Sequence, residues 1–272
     1  MIEDLLPRLM EPETLRAMEP RTDILVVDLC RASVYQELHV PGAVFLDYGR
    51  IVADRRPVAG LLPEVAVLTE VLSELGIDED VHVIAYDDEG GGKAGRLLWT
   101  LDALGHSRWS LLNGGIQAWA NEGHPLSKTP TIPHRSEFIA RPDPECVADA
   151  EWLLGRLGAP DLGLWDARST AEYHGERRFA MRGGHIPGAG NLDWSEVMDR
   201  DRNLRLRPEA EVRTLLEGLG LSPDKEIVTY CQTHHRSSLA YTLLRILGYP
   251  RVRGYPGSWS DWGNRMDLPV SG

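Results

Sequence analysis

The chain is written twice. The stretch "ILVVDLCRASVYQELHVPGAVFLDY" in the first half and "LGLWDARSTAEYHGERRFAMRGGHIPGAGNLDW" in the second follow one plan. Each is a strand-like run ending in Asp28 or Asp166, then a short helical stretch, then His-x-Pro-Gly-Ala at His39 to Ala43 and His185 to Ala189. Further along, "VHVIAYDDEGGGKAGRLLWTLDALGH" parallels "EIVTYCQTHHRSSLAYTLLRILGY": strand, polar loop, helix, closing Leu-Gly. "NGGIQAW" and "PGSWSDW" then end the halves in register, aligning Trp119 with Trp262.

With 272 residues, 42% of them hydrophobic, the chain is long enough for two domains and can bury two ordinary cores. The repeat places an N-terminal domain at 1–125 and a C-terminal one at 148–272. The proline-rich, polar stretch 126–147 between them reads as a linker. Short β-branched or apolar runs (Ile24 to Val27, Val81 to Tyr86, Ile227 to Tyr230) alternate with helix-period segments such as Glu64 to Gly76 and Glu209 to Gly220. That alternation predicts an α/β fold, one mainly parallel sheet flanked by helices in each half. Ligands in such sheets sit beyond the carboxyl ends of the strands.

A formal net charge of −12 argues against non-specific binding to nucleic acid or an anionic membrane. The three cysteines, Cys30, Cys146 and Cys231, are far apart and lack metal-site spacing, so free thiols in a reducing compartment are expected, with no metal and no disulfide framework. The opening "MIEDLLPRLMEPETL" is too acidic and proline-broken for a secretion signal, and no apolar run approaches a membrane span. A cytoplasmic protein is the expectation, and a monomer, since the two similar halves can pair within one chain.

Cys231 stands where a strand gives way to a helix. Leu239, Leu243, Leu244 and Leu247 share one helical face, which predicts a helix from about Ser237. The loop Cys231, Gln232, Thr233, His234, His235, Arg236 then turns successive backbone N–H groups toward one point, where the helix dipole also favours negative charge. A thiol there should have its pKa lowered from about 8.5 into roughly the 3.5–7.5 range. Cys30 and Cys146, beside a strand and the linker, read instead as small buried hydrophobes. The position equivalent to Cys231 in the first half is Asp87, each preceded by tyrosine (Tyr86, Tyr230). A carboxylate cannot replace a thiolate nucleophile, and its charge fits poorly where an anion must bind, so the first half is read as catalytically silent. Asp87, Asp88 and Glu89 do not make a metal site, and "EGGGKAG" lacks the ending of a phosphate-binding loop.

Two tandem halves, Cys-x4-Arg in the second and Asp-Asp-Glu-Gly-Gly-Gly in the first, resemble a two-domain rhodanese, a thiosulfate:cyanide sulfurtransferase. "CQTHHR" is similar to the loop of bacterial members of the Azotobacter type, and "WDARS", "GHIPGA" and "YPGSW" match further signatures of the family. The resemblance implies that Cys231 takes the outer sulfur of thiosulfate, releases sulfite and carries a persulfide, with no separate cofactor. Cyanide, a thiol or a thioredoxin-like protein would then accept the sulfur. The amides of Gln232 to Arg236 would stabilise the anion. Gln232 and Arg236 depart from the mammalian pattern, and Arg236 has two open roles, contacting the donor's sulfonate or bracing the loop.

His234 and His235 either assist the thiolate or are polar loop residues facing solvent, and Thr233 either offers a hydroxyl to sulfur or caps the helix. Asp166 and Arg168 are expected to form a structural ion pair in support of the site. Trp194 and Trp259 either wall the pocket or belong to the core. Arg177, Arg178 and Arg182 either draw anions or make a solvated basic surface. A cysteine phosphatase is the rival from another class, but such enzymes space the two residues as Cys-x5-Arg. A 3-mercaptopyruvate sulfurtransferase would typically carry Cys-Gly-x-Gly-x-Thr, absent here. A non-catalytic binding module would not need the cysteine and its cationic loop.

Overall fold

The computed structural model describes residues 6–19 and 21–272, so the start of the segment read as no secretion signal lies outside the described residues. By contacts the chain forms two units. The first takes the residues up to Ile51, then Pro63–Pro142 and Asp199–Leu206; the second takes Val52–Leu62, Asp143–Met198 and Arg207–Gly272.

The first unit is built on a five-stranded parallel sheet ordered Leu9–Met10, Trp109–Leu112, His82–Tyr86, Ile24–Asp28, Val44–Phe45. The second has a four-stranded parallel sheet ordered Val252–Gly254, Glu226–Tyr230, Leu162–Asp166, Ala189–Asn191. The α/β reading from the sequence is what folds. Parallel strands need crossovers, and the helix-period segments supply them as the helices Val65–Glu74 and Glu209–Gly218. Within the stretch 126–147, residues through Pro142 pack on the first unit. There Ser136 N–H donates to Ser73 O (3.0 Å), Phe138 N–H donates to Ser73 Oγ (3.0 Å), and Phe138 is buried.

The repeat holds atom by atom. Tyr35 stacks on His39 and Tyr173 on His185, with ring centroids 4.1 and 3.6 Å apart. Each tyrosine hydroxyl donates to the alanine carbonyl of its His-x-Pro-Gly-Ala turn, at Ala43 and Ala189. Trp119 Nε1 donates to Pro125 O and Trp262 Nε1 to Pro269 O. In each central strand the tyrosine faces the aspartate of its neighbour, Tyr86 beside Asp28 and Tyr230 beside Asp166, in the same register. These contacts explain why the motifs recur: they close the turn that returns the chain to the sheet edge.

The second core gathers Tyr230, Tyr255, Trp259, Trp262, Ile186 and Leu153. Beside it Arg168 is locked. Its Nε and Nη2 donate to the Asp166 carboxylate, the closest pair 2.6 Å apart, and Nη2 also donates to Gly184 O. The guanidinium lies 4.5 Å from the ring centre of Trp259. Both charges are withdrawn from water, so removing one strands the other. Asp166→Ala should therefore cost about 3–5 kcal/mol of stability, read from urea unfolding of the full chain. A loss below about 1 kcal/mol, the range of an exposed pair, would contradict a buried structural role.

Candidate active site

The strand Glu226–Tyr230 ends at the buried Cys231, and the helix that follows spans Arg236–Ile246, one residue earlier than the leucine pattern indicates. His235 is its N-cap and makes no side-chain capping bond, so Thr233 does not cap the helix. The loop is kept sharp by a left-handed residue, His234, at φ 53°. Cys231 O accepts from Trp259 N–H and Gln232 O from Ser260 N–H, both at 2.9 Å, which ties the loop to the helix Ser258–Trp262.

Two effects compete at the Cys231 sulfur. Burial alone would push its thiol up; the charge of Arg236, the Ser237 hydroxyl and the amides of Ser237 and Thr233 outweigh burial, and the thiol lies below its ordinary range. Among the amides, those of Cys231 and His234 do not serve the sulfur. They donate to Ser258 Oγ at 3.2 and 3.1 Å, which corrects the expectation that every amide from Gln232 to Arg236 surrounds the anion. Ser258 is itself left-handed, at φ 48°, and its hydroxyl donates to Tyr255 O at 2.7 Å.

Arg236 braces the loop. Its two terminal nitrogens donate to the two oxygens of Glu172, at 2.7 and 2.8 Å. Burial works against ionised Glu172, but the hydrogen bonds from Arg236 prevail and hold its carboxyl at about 2. Glu172 closes a capping box with Ser169 at the head of the helix Thr170–Tyr173. The guanidinium thus stays beside Cys231 as a fixed positive charge.

His234 is fully buried, not solvent-facing, and its Nδ1 lies 2.8 Å from Ser237 Oγ. His235 is half-buried, its ring 6.1 Å from that of the half-buried Trp194. Trp259 belongs to the core and donates from Nε1 to Arg182 O. Arg182 clamps the carbonyls of Leu268 and Trp262, Arg178 donates to Gly175 O, and Arg177 lies over the Phe179 ring. Gln232 Nε2 donates to Phe179 O at 3.3 Å.

The other cysteines differ. Burial and then the nearby charge of Asp28 push the Cys30 thiol far up, and Cys146 is buried with its sulfur 3.5 Å from Asp143 Oδ2. Ser237, Ser258 and Glu172 were not singled out by sequence. Of these, only Glu172 carried a readable signal, the Ser-x-x-Glu spacing from Ser169.

In the first unit the equivalent loop precedes the helix Gly92–Ala103 and has an occupant of its own. Asp87 is buried, and one carboxylate oxygen accepts from the amides of Glu89, Gly90 and Gly91 while the other accepts from Ala94. The side chain occupies the position where an anion would have to bind, and burial pushes its carboxyl up. Asp88 pairs with Arg31 and Lys93.

A model of the rhodanese-like domain matches residues 11–122 and again 149–265. The chain belongs to the rhodanese family. A thiosulfate sulfurtransferase of Azotobacter vinelandii is 48% identical over 265 residues, 97% of each chain. Another, of Pseudomonas aeruginosa, is 44% identical over 265 residues, again 97% of each. The solved anaerobic ergothioneine biosynthesis enzyme of Chlorobium limicola shares the fold at TM-score 0.85 and 24% identity, over 97% of this chain and 70% of that one. Within this rhodanese the two loops are one device with two fillings. Asp87→Ala should accordingly leave sulfur transfer close to wild type while leaving three buried amides and one half-buried amide without their acceptor, lowering stability by about 1–3 kcal/mol or more. Calorimetry with a parallel transfer assay checks both halves of this statement; a variant that is fully stable but inactive would contradict it.

Proposed function

We propose that this rhodanese is a thiosulfate sulfurtransferase with Cys231 as its nucleophile. The observation that carries the reading is the sulfur itself, at the carboxyl end of a central strand, faced by a fixed guanidinium, a hydroxyl donor and backbone amides that include those of Ser237 and Thr233. Such an environment keeps a thiol ionised and nucleophilic near neutral pH. The relatives named thiosulfate sulfurtransferase, similar over nearly the whole chain, support the same donor.

In the proposed first step the Cys231 thiolate attacks the outer sulfur of thiosulfate. A new sulfur–sulfur bond forms to Cys231, the bond between the two thiosulfate sulfurs breaks, and sulfite leaves with its electron pair. The persulfide keeps one negative charge, now on the terminal sulfur, and the donors that held the thiolate continue to face an anion. In the second step cyanide, or another thiophilic acceptor such as a thiol or a thioredoxin-like protein, attacks that terminal sulfur and the thiolate is regenerated. Protons are neither gained nor lost with cyanide, so no general base is required. No cofactor beyond the covalently held sulfur enters this scheme. We place it in the cytoplasm, where thiols stay reduced; none of the helices among the described residues is long and apolar enough to cross a membrane.

Cys231→Ser should abolish transfer with the fold intact, and wild-type protein treated with thiosulfate should gain about 32 Da on the peptide containing Cys231. Unmodified Cys231 after exposure to thiosulfate, or a serine variant with activity, would remove the reading. The pH dependence has a definite sign. Because Arg236, the Ser237 hydroxyl and the loop amides outweigh burial and lower the thiol, its anion should persist further toward the acid side than that of an ordinary cysteine. The rate of sulfite release should be level from neutral pH upward and fall on the acid side; a rate that climbs through about pH 8.5, as for an ordinary cysteine, would contradict it.

A further inference from the structure

The strands Ala53–Arg55 and Val58–Leu61 pair antiparallel as a hairpin. By sequence it lies in the first repeat, yet Val52–Leu62 packs within the second unit. Asp54 Oδ1 accepts from Gly60 N–H at 3.0 Å, which fixes the hairpin's own shape. Two neighbouring contacts aim it at the Cys231 loop. Ser260 Oγ lies 3.1 Å from Ala59 N and 2.9 Å from Ala59 O, while the Ser260 amide donates to Gln232 O. Gly60, at φ 80°, rests directly on the next residue of the loop. A Cβ at position 60 would stand 2.0 Å from Thr233 O, 2.7 Å from its carbonyl carbon and 2.8 Å from its Cβ.

Real Cβ atoms stay beyond 3.0 Å of such neighbours, so any side chain here must force the hairpin and the Thr233 backbone apart by about 1 Å. The Thr233 amide is among those that face the Cys231 sulfur, and a hydrogen bond weakens steeply over such a shift. The first repeat thus reaches the site through a bare stretch of backbone.

We infer that Gly60 is a positioning residue for sulfur transfer: having no side chain, it lets the hairpin seat against the Thr233 carbonyl and hold the sulfur-facing amides in place. The inference rests on Cys231 as the nucleophile. It assigns the hairpin a role that neither the silent loop at Asp87 nor the repeat itself explains.

The test is the pH midpoint of Cys231 alkylation by iodoacetamide in the full-length protein, followed on the Cys231 peptide by mass spectrometry. Each variant is first shown by circular dichroism to be folded across the pH range, because unfolded chains would alkylate as ordinary thiols. Gly42→Ala is the control, because Gly42 has the same φ of 80° and nothing within 4 Å of its Cβ position. Wild type and Gly42→Ala should share one low midpoint. Gly60→Ala should raise it, slowing alkylation on the acid side by about tenfold or more, since one pKa unit is a factor of ten. Ser260→Ala, which removes the link to Ala59 without adding bulk, should move the midpoint the same way by less. An unchanged midpoint in Gly60→Ala, or an equal shift in Gly42→Ala, overturns the inference. If Gly60→Ala does not fold, an unchanged midpoint in Ser260→Ala overturns it alone. An ordinary thiol midpoint in the wild type would instead remove the nucleophile beneath it.

Discussion

The structure depends on one arrangement, backbone amides at the end of a parallel strand converging on a buried acceptor. Both units contain it. In the first the acceptor is the carboxyl of Asp87, one oxygen taking three amides and the other a fourth, with burial pushing its pKa up. In the second it is the sulfur of Cys231, faced by loop amides, a serine hydroxyl and an arginine. A carboxylate fills its cradle permanently and cannot leave or accept an atom. On the proposed function, a thiolate would be extended by one sulfur and restored, which would make the same backbone design inert in one half and reactive in the other.

A reactive anion needs a surround that does not relax when its partner changes, and this accounts for the bracing. Arg236 is held by both oxygens of Glu172, and Glu172 by the capping box with Ser169. Ser258 takes the amides of Cys231 and His234, so these cannot swing toward the sulfur. Buried His234 fixes the Ser237 hydroxyl. Each of these side chains works through another group rather than by touching a donor molecule. The buried pair of Asp166 and Arg168 stabilises the adjacent strand end and the Gly184 carbonyl in the same way.

Much of this was legible in the sequence because it is local or repeated. The internal repeat gives the two sheets, their parallel sense and the equivalence of Asp87 with Cys231; the cysteine ahead of a helical leucine pattern gives the loop. What could not be read is long-range. The partner of Arg236 lies 64 residues away and the Ala59 contact of Ser260 spans 201. No spacing rule reaches such pairs. Which amides face the sulfur depends on the left-handed turns at His234 and Ser258, and non-glycine residues adopt that conformation too rarely for a sequence pattern to place it. The open choice at His234 is settled by the same long-range packing: polar loop residues usually face water, and here the loop is enclosed.

The central claim is that position 231 carries a full negative charge near neutral pH although it is buried. Titrating the ultraviolet absorbance of the thiolate, as the difference between wild type and Cys231→Ser, measures that charge without substrate or reagent. The account predicts a thiolate signal already present at neutral pH and lost only on acidification. A signal absent at neutral pH and rising only near about pH 8.5 or above, as burial alone would dictate, would contradict it.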